Sequence, residues 1–278
     1  MARNGRAADI YLLGRGIAGG VAQMSVEALE AIKRSRLVFD LSGDVKAIRK
    51  LHSNVVDLYD DYWTGELCDD VYARLEEQVL AEVTENGPTV SIIVDGHPLL
   101  FDDVNWSIVR RGKRKGLKVV PLPGISCLDT MMIDVGVDMA EGAQIVHANQ
   151  LLLYEIRLDP HMQTYVFQVG KFGTDFFSRE TKRNLPKRFT PLVEYLTRFY
   201  PADHVVTLIV STGNGEGTFR KRIRLGKLDD ARAFLHKYQD YGLSMHIPAC
   251  PREITNEAFS RQIDDLEHLA RIAVLAEE

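Results

Sequence analysis

The chain has 278 residues, 45% hydrophobic and 26% charged, with a formal net charge of −5, enough for two modest domains or one large one. The acidic balance argues against a nucleic-acid partner, and no stretch reaches the roughly 18–20 apolar residues of a membrane span. Three scattered cysteines form no disulfide or zinc spacing, and the start, MARNGRAAD, has no apolar signal core, so a cytoplasmic protein without a metal is expected. The first predicted element is the apolar run DIYLLG (9–14), ended by glycine. Ser25 then caps a helix with Leu29 and Ile32 on one face and Glu27 in its first turn. RLVFDL (36–41) and VVDLY (55–59) read as strands. From Asp69, Tyr72, Leu75, Val79 and Val83 recur at helical spacing, with Asp69 and Asp70 where the helix dipole favours acids. TVSIIV (89–94), a helix over 103–115 and LKVVPL (117–122) follow, and the basic run 110–115 reads as a solvated helix end. Such alternation predicts βαβ units and a parallel sheet, hence an α/β fold.

PLPGIS (121–126) breaks the pattern and sets the expected boundary between an N-terminal domain, 1–122, and a C-terminal one, 123–278. Beyond it QTYVFQVG (163–170), HVVTLIVS (204–211) and FRKRIRL (219–225) read as strands. The last alternates charged and apolar residues, as a half-exposed or edge strand does. The segment after Pro251 reads as helical, and no repeat or low-complexity stretch is present.

Four stretches carry residues suited to chemistry. LLGRGIAGG (12–20) places Gly14 and Gly16 after a strand, where a ligand approaches the backbone closely, although the G-x-G matches only part of the dinucleotide fingerprint. SIIVDGHPLLF (91–101) ends a buried strand on Asp95 and His97, at the strand end where open α/β sheets bind ligands. In PLPGISCLDT (121–130), Ser126 and Asp129 have capping-box spacing, at a helix start able to receive an anion. LYDDYWTGELCDDVY (58–72) gathers the phenols of Tyr59, Tyr62 and Tyr72. The bland alternatives are a flexible loop, a capped turn, a capped helix and aromatic packing.

In order, these pieces resemble the tetrapyrrole (corrin/porphyrin) methylase superfamily. The likeness rests on IYLLGRGIAGGVAQMSVEAL, Gly96-His97-Pro98-Leu99-Leu100-Phe101, Pro123-Gly124-Ile125-Ser126 and LDTMMIDVGVD. VHANQLL (146–152), YVFQVGKFG (165–173) and FYPADHVV (199–206) are similar to the borosin-type peptide backbone N-methyltransferases and their bacterial relatives. The resemblance implies a parallel-sheet N-terminal domain, a mixed-sheet C-terminal domain with a helical tail, and S-adenosyl-L-methionine in the cleft between them. It implies cofactor contacts from Gly14, Gly16, His97, Leu100, Phe101, Ser126, Cys127, Gln168, Ser211 and Thr212. It implies a homodimer acting on a peptide or small-molecule acceptor, with Tyr59, Tyr62 and Tyr72 beside that acceptor.

Two positions depart from the branch. Cys68 stands where it has arginine, and a thiol does not replace a guanidinium. Asp95 stands where it has tyrosine before Gly-His-Pro. A carboxylate there is suited to accept a proton or hold a cationic amine, so Asp95 joins the tyrosines as a candidate catalytic group. The expectation is a methyltransferase working on a peptide supplied in trans or a specialised metabolite, against the alternative of a cofactor-binding scaffold with a drifted site. A substrate fused after the charged, helical-looking end is not expected.

Overall fold

A computed structural model of the chain describes residues 8–176, 186–212, 218–238 and 242–273. The first sheet comes from β1 (Ile10–Gly14), β2 (Leu37–Asp40), β3 (Val55–Asp57), β4 (Val90–Val94) and β5 (Val119–Leu122), in the order β3-β2-β4-β1-β5. Every pairing is parallel. The crossovers carry α1 (Val26–Arg34), α2 (Val45–Ile48), α3 (Cys68–Asn86) and α4 (Asp103–Arg114). Consecutive residues of one strand enter different cores. Leu12 and Ile92 pack with Leu75 and Val79 of α3 and Ile108 of α4, while Leu13 and Ile93 pack with Ala28 and Ile32 of α1. Both faces are covered, which is why these strands read as continuous apolar runs rather than alternating ones.

The chain then crosses to a second layer through α5 (Cys127–Val135), which Ser126 and Asp129 cap reciprocally and Gly136 ends in the left-handed conformation. There follow β6 (Ala143–His147), α6 (Ala148–Leu153), β7 (Gln163–Phe167), α7 (Thr190–Leu196), β8 (Val205–Val210), β9 (Phe219–Arg224), α8 (Arg232–Lys237) and β10 (Ser244–Ile247). The sheet order is β6-β7-β10-β8-β9; β6 and β7 are parallel, and the other pairs antiparallel. Val166, Leu208, Met245 and Ile247 face the main core of this layer, whereas Tyr165, Phe167 and Ile209 face Met131 of α5. β9 lies at the edge, where its alternation put it. The sequence reading had no place for β6 and β10, because AQIVH and SMHI are short and carry polar residues. Their strand character comes from the neighbours they pair with. The chain after Pro251 is helical as expected, in α9 (Glu257–Ile263) and α10 (Leu266–Ile272), neither with a buried residue. No helix among the described residues is long and apolar enough to cross a membrane.

Candidate functional site

Three loops leave the carboxyl ends of β1, β4 and β5 and meet at glycine backbones. A Cβ on Gly14 would lie 2.3 Å from the Gly96 carbonyl oxygen and 2.8 Å from Gly124 Cα, so only glycine permits the junction. Gly16 and Gly96 exchange backbone bonds, and Arg15 N–H donates to Val94 O over 2.8 Å. Three further amides of the loop are occupied by side chains. Gln23 Oε1 accepts from Ile17 and Ala18 at 2.6 and 2.9 Å, and Asp44 accepts from Gly20 at 2.8 Å. The loop is therefore a braced turn, and its incomplete dinucleotide fingerprint fits that.

Arg15, the residue between the two glycines, answers for Asp95. Its guanidinium donates to the Asp95 carboxylate through Nε over 3.0 Å and through Nη2, and Nη1 donates to the carbonyls of Ala18 and Gly20. The arginine side chain is 6% exposed and that of Asp95 is 55% exposed. Crowding of the cleft pushes the Asp95 carboxyl up to about 6, against the lowering pull of Arg15. With half of the side chain in solvent, screening makes that push modest in energy.

Tyr62 and Tyr72, packed against the same core as Leu99, meet edge to face with centroids 6.4 Å apart. Burial raises both phenols above their ordinary range. Tyr62 also feels Asp102 and Asp95, and Tyr72 feels Cys68, Asp103, Asp102 and Asp175. Tyr59 is turned elsewhere, its ring on Gly43 and edge-on to Trp63 at 6.1 Å. The start of α3 is tied to the second layer: Cys68 N–H donates to Asp175 O over 3.0 Å and Lys171 lies 4.9 Å over the Trp63 ring. Burial first, then the Asp175 carboxylate, pushes the Cys68 thiol up to about 12.

The remaining predicted residues span the two layers. His97 Nδ1 accepts from Leu99 N–H at 3.1 Å, which places the imidazole proton on Nε2. Leu100 N–H donates to His97 O. Phe101, at φ 54°, stacks on Phe167 with centroids 4.6 Å apart, joining the Gly-His-Pro loop to the end of β7. Gln168 follows directly at φ 58°, a left-handed backbone for a non-glycine residue. Ser126 lies beside Gly96 and gives its hydroxyl to Asp129 over 2.6 Å, and burial pushes the Cys127 thiol up to about 12. Ser211 bonds Thr130 and Asp134 of α5, both at 2.6 Å, and Thr212 lies 3.4 Å from Thr218. A separate shallow cavity of about 510 Å³ is lined by Gln23, Ser25, Gly124 and Ile125 and takes in none of the phenols, Asp95 or His97.

The sequence reading missed Arg15, Asp102 and Asp175. The arginine inside G-x-G and the paired acids after Phe101 were visible, but their partners are distant in the chain.

The family profile of the Tetrapyrrole (Corrin/Porphyrin) Methylases matches residues 9–209. The chain belongs to this family. Among curated relatives, the methyltransferase/ribosomally synthesized cyclic peptide dendrothelin A precursor of Dendrothele bispora (strain CBS 962.96) is 30% identical over 71% of this chain and 48% of its own length. The methyltransferase/ribosomally synthesized cyclic peptide omphalotin A precursor of Omphalotus olearius is 28% identical over 72% of this chain and 48% of its own. The chain thus spans about half the length of these relatives. Two solved structures share the fold. The uroporphyrin-III-C-methyltransferase from Thermus thermophilus has a TM-score of 0.58 at 15% identity, over 86% of this chain and 91% of that one. Diphthine synthase has a TM-score of 0.57 at 18% identity, over 95% and 99%. The two-domain tetrapyrrole methylase architecture, a parallel sheet and a mixed sheet, is therefore the architecture of this chain.

Proposed function

We propose that this tetrapyrrole methylase is an S-adenosyl-L-methionine-dependent methyltransferase acting on a peptide supplied by another chain or on a specialised metabolite. The observation that carries the reading is the cleft itself. The Gly-His-Pro loop reaches the end of β7 through Phe101 and Phe167, and Tyr62 of the Tyr62–Tyr72 pair feels the charges of Asp102 and Asp95. The donor set suits the cofactor. Leu100, Phe101 and Cys127 offer apolar surface to an adenine, His97 Nε2–H and the backbone around Gln168 and Ser211–Thr212 offer polar partners, and nearby carboxylates suit a sulfonium's positive charge. When bound, S-adenosyl-L-methionine supplies an activated methyl group. The chain's own work is to exclude water, hold the acceptor in line with that methyl and take up a proton. On this reading Tyr62 and Tyr72 orient the acceptor, Tyr59 supports the loop through Trp63, and Arg15 fixes Asp95 at the mouth.

Calorimetry with S-adenosyl-L-methionine and its demethylated product tests the reading. Micromolar affinity, on the order of −8 kcal/mol, is expected. Absence of heat with both ligands overturns it. Replacing Ser126 or Gln168 by tryptophan is expected to weaken binding, and unchanged affinity in both variants refutes the pocket. Cys68, tied to Asp175 where the borosin branch has arginine, favours one other reading, a binding scaffold without turnover. Binding without methyl transfer to any peptide or amine would support that reading. The family likeness also leads us to infer a homodimer, and light scattering that reads a single 31.3 kDa chain refutes it.

A further inference from the structure

β7 and β8 each pair antiparallel with β10, so the two strands run the same way. Gln168 and Ser211, the residues that follow them, therefore leave the sheet at one edge, two strand spacings or about 10 Å apart. Phe101 of the Gly-His-Pro loop arrives at that edge by stacking on Phe167. Alternation along β8 turns Ile209, and with it Ser211, toward α5.

Ser211 meets two residues of α5 there. Its Oγ lies 2.6 Å from Thr130 Oγ1 and 2.6 Å from Asp134 Oδ2. Thr218, just before β9, donates to the same carboxylate over 3.1 and 3.2 Å, and its Oγ1 lies 3.4 Å from that of Thr212. Arg220 of β9 donates through Nη1 to the Asp134 carbonyl. One buried residue in the last turn of α5 thus holds the end of β8 and the start of β9 together.

Packing does not require this clamp. Met131 already seats α5 on Tyr165, Phe167 and Ile209, and an apolar side chain in place of the carboxylate would avoid the cost of burying a charge. What the carboxylate adds is a fixed direction at the strand end. α5 starts at Ser126, beside Gly96, and Asp134 stands about 12 Å farther along the helix. The helix is a splint between Ser126–Cys127 of the first layer and Ser211–Thr212 of the second. Resting on the proposed binding of S-adenosyl-L-methionine, we propose that Asp134 is a positioning residue of the methyl-donor site. It sets the Ser211–Thr212 backbone against the donor by holding the Ser211 hydroxyl, with Thr218 and Arg220 bracing the other side.

The experiment compares the unaltered full chain with Asp134→Ala, Asp134→Asn, Ser211→Ala and the Asp134→Ala/Ser211→Ala pair. Thr164→Val is the control for lost stability alone, since it deletes a buried hydroxyl bonded to Tyr200 over 2.8 Å near the opposite end of β7. Circular dichroism checks that each variant folds. Hydrogen exchange without ligand is the first readout. Faster exchange is expected in 205–212 and 218–224 of Asp134→Ala, and unchanged exchange there overturns the proposal. The second readout is calorimetric affinity for demethylated S-adenosyl-L-methionine, whose uncharged thioether makes any loss a matter of geometry rather than of attraction to a sulfonium. Asp134→Ala is expected to bind about tenfold more weakly, the worth of one charge-assisted hydrogen bond. Asp134→Asn, which keeps an acceptor for Ser211, is expected to recover part of that, and Thr164→Val to bind as the unaltered chain does. The double variant is expected to lose less than the sum of its singles. Unaltered affinity in Asp134→Ala, an equal loss in Thr164→Val, or full additivity in the double variant overturns the proposal. No heat with the unaltered chain overturns the proposed function instead, and the exchange measurement still decides whether Asp134 sets the strand end.

Discussion

At the scale of single residues, the cleft is organised by charges whose partners lie far off in the chain. Arg15 and Asp95 are 80 positions apart, and the guanidinium also holds the Ala18 and Gly20 carbonyls. Arg15→Met removes all these donors at once and is expected to cost about 1–3 kcal/mol in urea unfolding, with wild-type stability refuting the assignment. Cys68 is a weak nucleophile, since burial and Asp175 together push its thiol up to about 12. Iodoacetamide is expected to alkylate it slowly at neutral pH, and faster after Asp175→Asn removes the neighbouring charge. Equal rates in the two proteins would show that Asp175 does not govern the thiol.

At the scale of elements, two local devices fix where helices and loops meet. The capping box of Ser126 and Asp129 starts α5 against the glycine junction. Ser126→Ala is expected to cost about 1 kcal/mol in thermal or urea unfolding, as loss of an N-cap does. Gly14→Ala is the harsher change, because its Cβ would press on the Gly96 carbonyl and on Gly124 Cα. Overpacking of about 1–3 kcal/mol is expected, with weakened S-adenosyl-L-methionine affinity by calorimetry. Unaltered affinity would mean that the junction does not shape the cleft. Both devices are legible in sequence, one as S-x-x-D and the other as glycines after apolar runs. The strands β6 and β10 are not, since four or five mixed residues have no distinctive periodicity and become strands through their pairing with β7 and β8.

At the scale of the whole molecule, the second sheet carries a pH dependence of its own. His246, in the central strand β10, is buried with Nε2 against Gln163 Oε1 at 2.9 Å. Burial first, then His204, lowers its pKa to about 4 from 6.5. The folded imidazole stays neutral while the unfolded chain takes up a proton. Stability is therefore full above about 6.5 and falls as the pH drops from there to about 4, by about 3 kcal/mol in total. Urea unfolding across that range checks the loss, and an imidazole that titrates near 6.5 by nuclear magnetic resonance would refute it.

The sequence by itself determined the properties set within one turn or one strand. These are the five strand runs of the first sheet, the caps at Ser25 and Ser126, the glycine breaks, the edge character of β9 and the family motifs around His97 and Ser126. Each depends on neighbours within a few residues, the range over which periodicity and backbone chemistry act. Tertiary structure alone decided the partnerships. Local sequence holds no sign that Arg15 pairs with Asp95, or that the Ser211 hydroxyl donates a hydrogen bond to Asp134 of α5. Tyr59 kept its spacing from Tyr62 and Tyr72 yet turned toward Gly43. A side chain's partner is chosen by the packing of segments that local sequence leaves unrelated, and the charge state of a carboxylate follows from that packing.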